Sequence, residues 1–301
     1  MLALNLSAEG YCQMKRKSLY ILTILTGLLA GPAAARVATS YDAIYVFGDS
    51  YCDVGNVFIA SGGTIPAPPY FDGRFSNGPI WIENVAGYMA LPMKPYLAGG
   101  SDFAFGGAWV TEPQVTAYGT IPDVPQQVAL YLSLHGNKAD PNALYVIEGG
   151  GNDILGATGG SPSQLGFKIA SGIAGSAQLL EKAGAQHILI PNLLDVGLLP
   201  AGQANATFAS AASKATNQWL NTLLGQSLIQ GTHVLRLDVF SLINAVQTAP
   251  FHFGFSNVTT PCLTTTVCSD PDHTFFWDAE HPTEFGHSFF AVTAETVLAQ
   301  Q

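Results

Sequence analysis

The chain has 301 residues, of which 48 % are hydrophobic and only 11 % charged, so it holds ample material for a buried core and is far too apolar to be intrinsically disordered. Its 21 acidic against 11 basic residues give a formal net charge of −10, which argues against a nucleic-acid partner, because phosphate binding needs clustered Lys and Arg. The same balance disfavours anionic membrane surfaces and polyanionic substrates.

In chain order, the first feature is an address. Lys15-Arg16-Lys17 is a short positive cluster, Leu19 to Ala30 is mostly apolar, and Gly31-Pro32 leads into Ala33-Ala34-Ala35. This is the pattern of a secretory signal peptide with cleavage after Ala35. The apolar stretch is too short for a membrane anchor, which needs about 20 residues. Residues 1–35 are therefore expected to be a signal peptide with an N-terminal extension, with Met14 a candidate start, and residues 36–301 the mature domain. The product is expected to be secreted (extracellular or periplasmic) without stable membrane insertion.

Four short runs then read as strands: Ala43 to Phe47, Leu144 to Glu148, His187 to Ile190, and His233 to Val239. They are rich in Val, Ile or Leu and lie near turn signals, as suits strands buried on both faces of a parallel sheet. Leu165 to Ala183, Ala209 to Leu228 and Thr283 to Gln300 read as helices. Strands alternating with helices predict one doubly wound α/β domain. Ser61 to Ser101, rich in Gly, Pro and aromatics, is expected to form long loops over one end of the sheet, and ligands bind beyond the carboxyl ends of such strands.

Four blocks carry chemistry. Gly48-Asp49-Ser50 ends the first strand and presents a hydroxyl near a helix N-terminus, although Asp49 and Ser50 also suit a helix cap. Asp102 to Ala108 contains the pair Gly106-Gly107, which allows close approach and an exposed N–H but is also an ordinary turn. Gly151-Asn152-Asp153 presents a side-chain amide at a strand end, where Asn also favours turns. Asp278 and His281 lie three apart, so the carboxylate can hold the imidazole Nδ1–H and leave Nε2 as a base; a capping Asp beside an incidental His is the plainer reading. Glu280, His281 and His287 lack the spacing of a metal site, and no cofactor motif is present.

Cys262 and Cys268 lie six apart in a Thr/Pro/Ser-rich loop, and an oxidising compartment favours a disulfide between them. Cys52 is left as a small buried hydrophobe. Asn205-Ala206-Thr207 and Asn257-Val258-Thr259 fit the N-glycosylation rule, which matters in a eukaryotic host.

Taken together and in this order, the blocks resemble those of the GDSL lipase/esterase family within the SGNH hydrolases. They appear as Gly48-Asp49-Ser50, Phe103 to Ala108, Gly151-Asn152-Asp153 and Asp278-Ala279-Glu280-His281. Gly73 to Gly78 and Phe276-Trp277-Asp278 resemble the secreted lipase branch, which includes phospholipase and haemolysin-type members. The resemblance implies a single three-layer α/β/α, flavodoxin-like domain with a mainly parallel sheet. It implies Ser50 as nucleophile, His281 as base and Asp278 as its orienter. The implied oxyanion donors are the Ser50 and Gly107 N–H groups and the Asn152 side chain, with Gly106 the weaker alternative to Gly107. The implied activity is hydrolysis of acyl or lipid esters; a carbohydrate O-acetylesterase and an inert carbohydrate- or surface-binding protein are the rivals. Tyr51 stands where the family name has Leu, and Asp102 where Asn is usual; neither is expected to supply a catalytic side chain.

Overall fold

A computed structural model describes residues 41–227 and 232–301. The expected leader and the end of the second predicted helix at Leu228 lie outside the described residues.

Four parallel strands form the sheet: β1 (Ile44–Phe47), β4 (Leu144–Ile147), β5 (His187–Pro191) and β6 (His233–Leu237), hydrogen-bonded in that order. Each coincides with a predicted run. In β1, β4 and β5 the Val, Ile and Leu side chains are buried, which is why these segments read as continuous apolar runs rather than alternating ones; the edge strand β6 buries Leu235 and Leu237 and leaves Val234 half-buried. A short antiparallel hairpin, β2 (Gln114–Thr116) with β3 (Gly119–Ile121), stands apart from the sheet.

Helices cover both faces, giving the expected α/β/α arrangement. On one side α3 (Val124–Leu134), α5 (Pro162–Ala183) and α6 (Ala206–Ser227) pack together; on the other, α2 (Trp81–Tyr88) packs on α8 (Glu284–Leu298). The short α1 (Asn56–Ala60) and α4 (Gly151–Leu155) follow β1 and β4 directly.

Two expectations need correction. The last strand stops at Leu237 instead of Val239, because the Asp238 carboxylate accepts the Ser241 N–H at 3.0 Å and caps α7 (Val239–Thr248). The loop region from Ser61 to Ser101 contains α2. Trp81, Ile82, Val85 and Ala86 are buried there, and Glu83 reaches back to accept the Ile80 N–H at 3.0 Å. Tertiary burial makes a helix of a stretch whose Asn and Gly argue against one.

Candidate active site

The turn after β1 is held from both sides. The Gly48 N–H donates to Gln127 Oε1 at 2.8 Å, and Gln127 Nε2 donates back to the Gly48 carbonyl at 3.0 Å. The Cys52 and Asp53 N–H groups both donate to the Asp49 carbonyl at 3.0 Å, closing a tight turn with Ser50 inside it. Ser50 is buried and well short of the next helix, which starts at Asn56. The N-cap residue of that helix is Gly55, and its first N–H groups, those of Gly55, Asn56 and Val57, donate to the Asp53 carboxylate. Ser50 and Asp49 are thus free of capping duty.

Residues 101–105 run beside β1, with the Phe103 N–H on the Val46 carbonyl at 2.8 Å and the Phe105 N–H on Gly48 at 3.1 Å. The Gly106 N–H donates to Asp53 Oδ2 at 2.8 Å, whereas the Gly107 and Ser50 N–H groups have no hydrogen-bond partner among the described residues. Gly107 sits at φ +80°, a conformation that favours glycine. Gly106 is required for space: a Cβ there would lie 2.4 Å from the Phe75 ring. Asp102 is fully buried and accepts the Val54 and Ala104 N–H groups at 2.8 and 2.9 Å, tying the first two blocks together. Burial and the neighbouring Asp53 push its carboxyl well above the usual range. An Asn could not accept both N–H groups through two carboxyl oxygens, so this departure from the family pattern has a structural use here.

Asn152 lies in the first turn of α4 and donates through Nδ2 to the Ala108 carbonyl at 3.1 Å and to Asp49 Oδ2 at 3.2 Å. Its neighbour Asp153 accepts from the Val110 N–H (2.8 Å), the Thr111 N–H (3.0 Å) and the Thr111 hydroxyl (2.6 Å), fastening the Gly107 loop to α4. Burial raises the Asp49 carboxyl to about 6, against the lowering effect of the Tyr51 N–H and Glu148. Glu148, whose Oε2 accepts the Asp49 N–H at 3.3 Å, is raised further by burial and by the charge of Asp49.

The fourth block arrives from the far end of the chain. His281 Nε2 is 2.7 Å from Ser50 Oγ, and Nδ1 is 2.7 Å from Asp278 Oδ2 and 2.9 Å from Oδ1. Nδ1 faces a carboxylate and must carry the proton, so Nε2 accepts from the serine hydroxyl. Asp278 Oδ1 also accepts the Glu280 and His281 N–H groups at 2.8 and 2.7 Å, and Oδ2 accepts the Tyr70 hydroxyl at 2.7 Å. Burial alone would raise Asp278, but the His281 charge and these donors hold it at about 2. Burial likewise works against the His281 cation, yet Asp278 outweighs it and raises the imidazole above its ordinary value. The Cys262–Cys268 disulfide braces the approach to Asp278, with the Cys262 N–H on the Phe276 carbonyl at 2.9 Å and the Leu263 N–H on Trp277 at 2.6 Å.

Several of these contacts lack a sequence signal. Gln127, Asp53 and Asp153 act through backbone N–H groups distant in sequence. Tyr51, not expected to supply a catalytic side chain, donates its hydroxyl to the Glu280 carbonyl at 2.7 Å, and its ring lies 5.9 Å from that of His281. It joins the first block to the last. His287 is fully buried behind Tyr51, with neither ring nitrogen hydrogen-bonded among the described residues; burial lowers it to about 3, so it stays neutral.

Residues 44–292 match the family model described as GDSL-like Lipase/Acylhydrolase. The chain belongs to this family. It is 27 % identical to the thermolabile hemolysin of Vibrio parahaemolyticus over 86 % of its length, and spans 64 % of that protein. It is 29 % identical to the phosphatidylcholine-sterol acyltransferase of Aeromonas hydrophila, with 79 % of this chain and 70 % of that one aligned. A carbohydrate acetylesterase from Sinorhizobium meliloti, a solved structure, aligns over 86 % of this chain and 99 % of its own at 12 % identity and a TM-score of 0.47.

Proposed function

We propose that this GDSL-family chain is a secreted carboxylic ester hydrolase that works through a Ser50 acyl-enzyme. The observation that carries the reading is the unbroken hydrogen-bond chain from Ser50 Oγ through His281 to Asp278, with 2.7 Å at each link. Ser50 attacks the ester carbonyl while His281 Nε2 takes its proton. The tetrahedral oxyanion is met by the unpartnered Ser50 and Gly107 N–H groups and by Asn152 Nδ2, whose 3.2 Å bond to Asp49 is the one it would share or release. His281 then returns the proton to the departing alcohol. Water, deprotonated by the same imidazole, hydrolyses the acyl-enzyme. Asp278 stays ionised throughout and stabilises the imidazolium.

The substrate class we assign is an acyl ester of a lipid. Leu155, Leu193, Leu194 and Leu199, together with Asp49, Glu148 and Glu280, line a small cavity beside Ser50 and Asn152, which places apolar surface next to the nucleophile. The Aeromonas relative is named for acyl transfer from phosphatidylcholine, which agrees with that apolar surface. The disulfide fits an oxidising compartment, and no described helix is long and apolar enough to cross a membrane. An ester panel running from acetate through long-chain to phospholipid substrates tests the assignment. Hydrolysis of acylated lipids that disappears in Ser50→Ala is expected; turnover confined to acetylated glycans would replace the lipid reading, and undiminished turnover by Ser50→Ala would end it.

A further inference from the structure

The Gly73 to Gly78 block and the aromatic loop before it have no part in the chemistry above. Residues 62–65 and 67–69 are exposed, as are Phe71 and Asp72, yet the segment turns three polar groups back onto the His281 loop. The Tyr70 hydroxyl donates to Asp278 Oδ2 at 2.7 Å, the Ser76 hydroxyl to the Pro282 carbonyl at 2.9 Å, and the Glu284 N–H to Asn77 Oδ1 at 2.7 Å. The Phe75 ring lies 5.2 Å from that of His281, in the space that Gly106 leaves open. Arg74 anchors the other side on Glu83 at 2.7 Å.

The two oxygens of Asp278 are not equally secured. Oδ1 is fixed by the Glu280 and His281 N–H groups of its own turn. Oδ2, which makes the shorter bond to the imidazole, has one other donor among the described residues, and that is Tyr70. A carboxylate rotates about a soft terminal torsion; the Oδ1 bonds hold its plane from one side, and the Tyr70 O–H is the donor that holds it from the other. We propose that Tyr70 is a positioning residue: its O–H holds Asp278 Oδ2 in the plane that aims His281 Nε2 at Ser50. The inference rests on the reading of Ser50, His281 and Asp278 given above. Burial, with Asp278 beside it, raises the Tyr70 phenol above its ordinary value, so it remains a donor across the working pH range.

The test is Tyr70→Phe, which removes the donor and keeps the ring contacts with Phe75 and Trp277. Four measurements are made: active-site titration with a phosphonate, kcat and KM for one acyl ester, the pH dependence of kcat/KM, and the same kinetics in an Asp278→Asn background. The expected result is full phosphonate stoichiometry, a kcat lower by about tenfold and a KM within about twofold of wild type. The acid limb of kcat/KM moves to higher pH, because a carboxylate with one donor fewer holds the imidazolium more strongly. The other titratable groups near His281, namely Asp49, Tyr51, Glu280 and His287, are unchanged between the two proteins. In the Asp278→Asn background the Phe substitution adds no more than about twofold. Ser76→Ala, which cuts a tether of the same segment without touching the carboxylate, leaves the acid limb where it is. A wild type that is labelled, beside a Tyr70→Phe protein with unchanged kcat and acid limb, overturns this inference alone. So does a tenfold loss that persists undiminished with Asn at 278. A wild type that takes no phosphonate at Ser50 overturns the function and this inference together.

Discussion

The two ends of the parallel sheet both bury polar side chains, and they use them differently. At the amino end Tyr131 and Tyr145 share a hydroxyl–hydroxyl bond of 2.9 Å, Tyr145 also donates to the Asp140 carbonyl at 3.1 Å, and the ring of Tyr131 meets a tilted Tyr45 at 4.5 Å and a stacked His135 at 4.2 Å. That cluster packs rings and satisfies its own hydroxyls. At the carboxyl end Asp49, Asp53, Asp102 and Asp153 are buried, and most of their bonds come from backbone N–H groups of loops and of the first turn of α1. Burial still wins over those bonds and raises all four carboxyls. A buried carboxyl is costly to keep, and in return it fixes the course of chain that has no ladder or helix of its own. The loops that carry Ser50 and Gly107 are therefore held in place without regular structure, and the Gly107 loop is fastened to the helix α4 that carries Asn152.

If only the carboxyl end is functional, substitutions there should remove turnover without unfolding the protein. Ser50→Ala should reduce kcat by about 10⁶ and leave the melting temperature near wild type. Asp278→Asn should cost about 10⁴, because the amide no longer selects the Nδ1–H tautomer. Steady-state kinetics on one acyl ester, with thermal melts alongside, checks both. Loss of fold in Ser50→Ala would blur the distinction between the two ends.

Strands β1, β4 and β5 are legible because both of their faces are buried, so composition and length alone mark them; the edge strand β6, buried on one face, is legible from its Val and Leu residues and the turn signal near it. The four blocks are legible because three of them couple a polar side chain to a glycine- or Asp-bearing turn and the second pairs two glycines, all in a fixed order. What has no sequence signature is long-range and made by ordinary residues. Gln127 sits 79 positions from the Gly48 it pins, and Tyr70 lies 208 from Asp278. No local pattern marks a glutamine that will meet a strand end, or a tyrosine in a proline-rich loop that will meet a carboxylate. Helix α2 has no local signal for a related reason: its apolar face is covered by elements distant in sequence, among them helix α8.

Weaker effects sharpen the contrast. Asn152→Ala should lower kcat by about 10²–10³ with little change in KM, since the amide acts on the oxyanion and not on the ester ground state. The pH profile offers a further check. His281 must be neutral to act, and its imidazole is raised above the ordinary 6.5, so kcat/KM should climb with pH through a midpoint above that value. Asp278, at about 2, stays charged throughout and adds no limb. Asp49, at about 6, titrates nearby, so the profile of Asp49→Asn separates the two: the His281 limb should persist in it. A rate flat from about pH 5 to 9 would remove His281 as the base.

The smallest effect is expected at the opposite end. Tyr145→Phe keeps the ring stack with Tyr45 and removes the hydroxyl bonded to Tyr131 and to the Asp140 carbonyl. Losing a buried neutral hydrogen bond costs about 1 kcal/mol, which in a protein of this size lowers the melting temperature by roughly 2–4 °C. Turnover should be unaffected, since these hydroxyls hold no loop that reaches Ser50. A fall in kcat beyond about threefold would mean that the amino end also sets the geometry of the serine turn. The route would have to run through β1, which carries Tyr45 and ends at the Gly48 pinned by Gln127. Gln127 stands one turn before Tyr131 on α3. Measuring kcat for Tyr145→Phe and Gln127→Leu side by side decides it. A loss in the glutamine variant alone keeps the two ends independent.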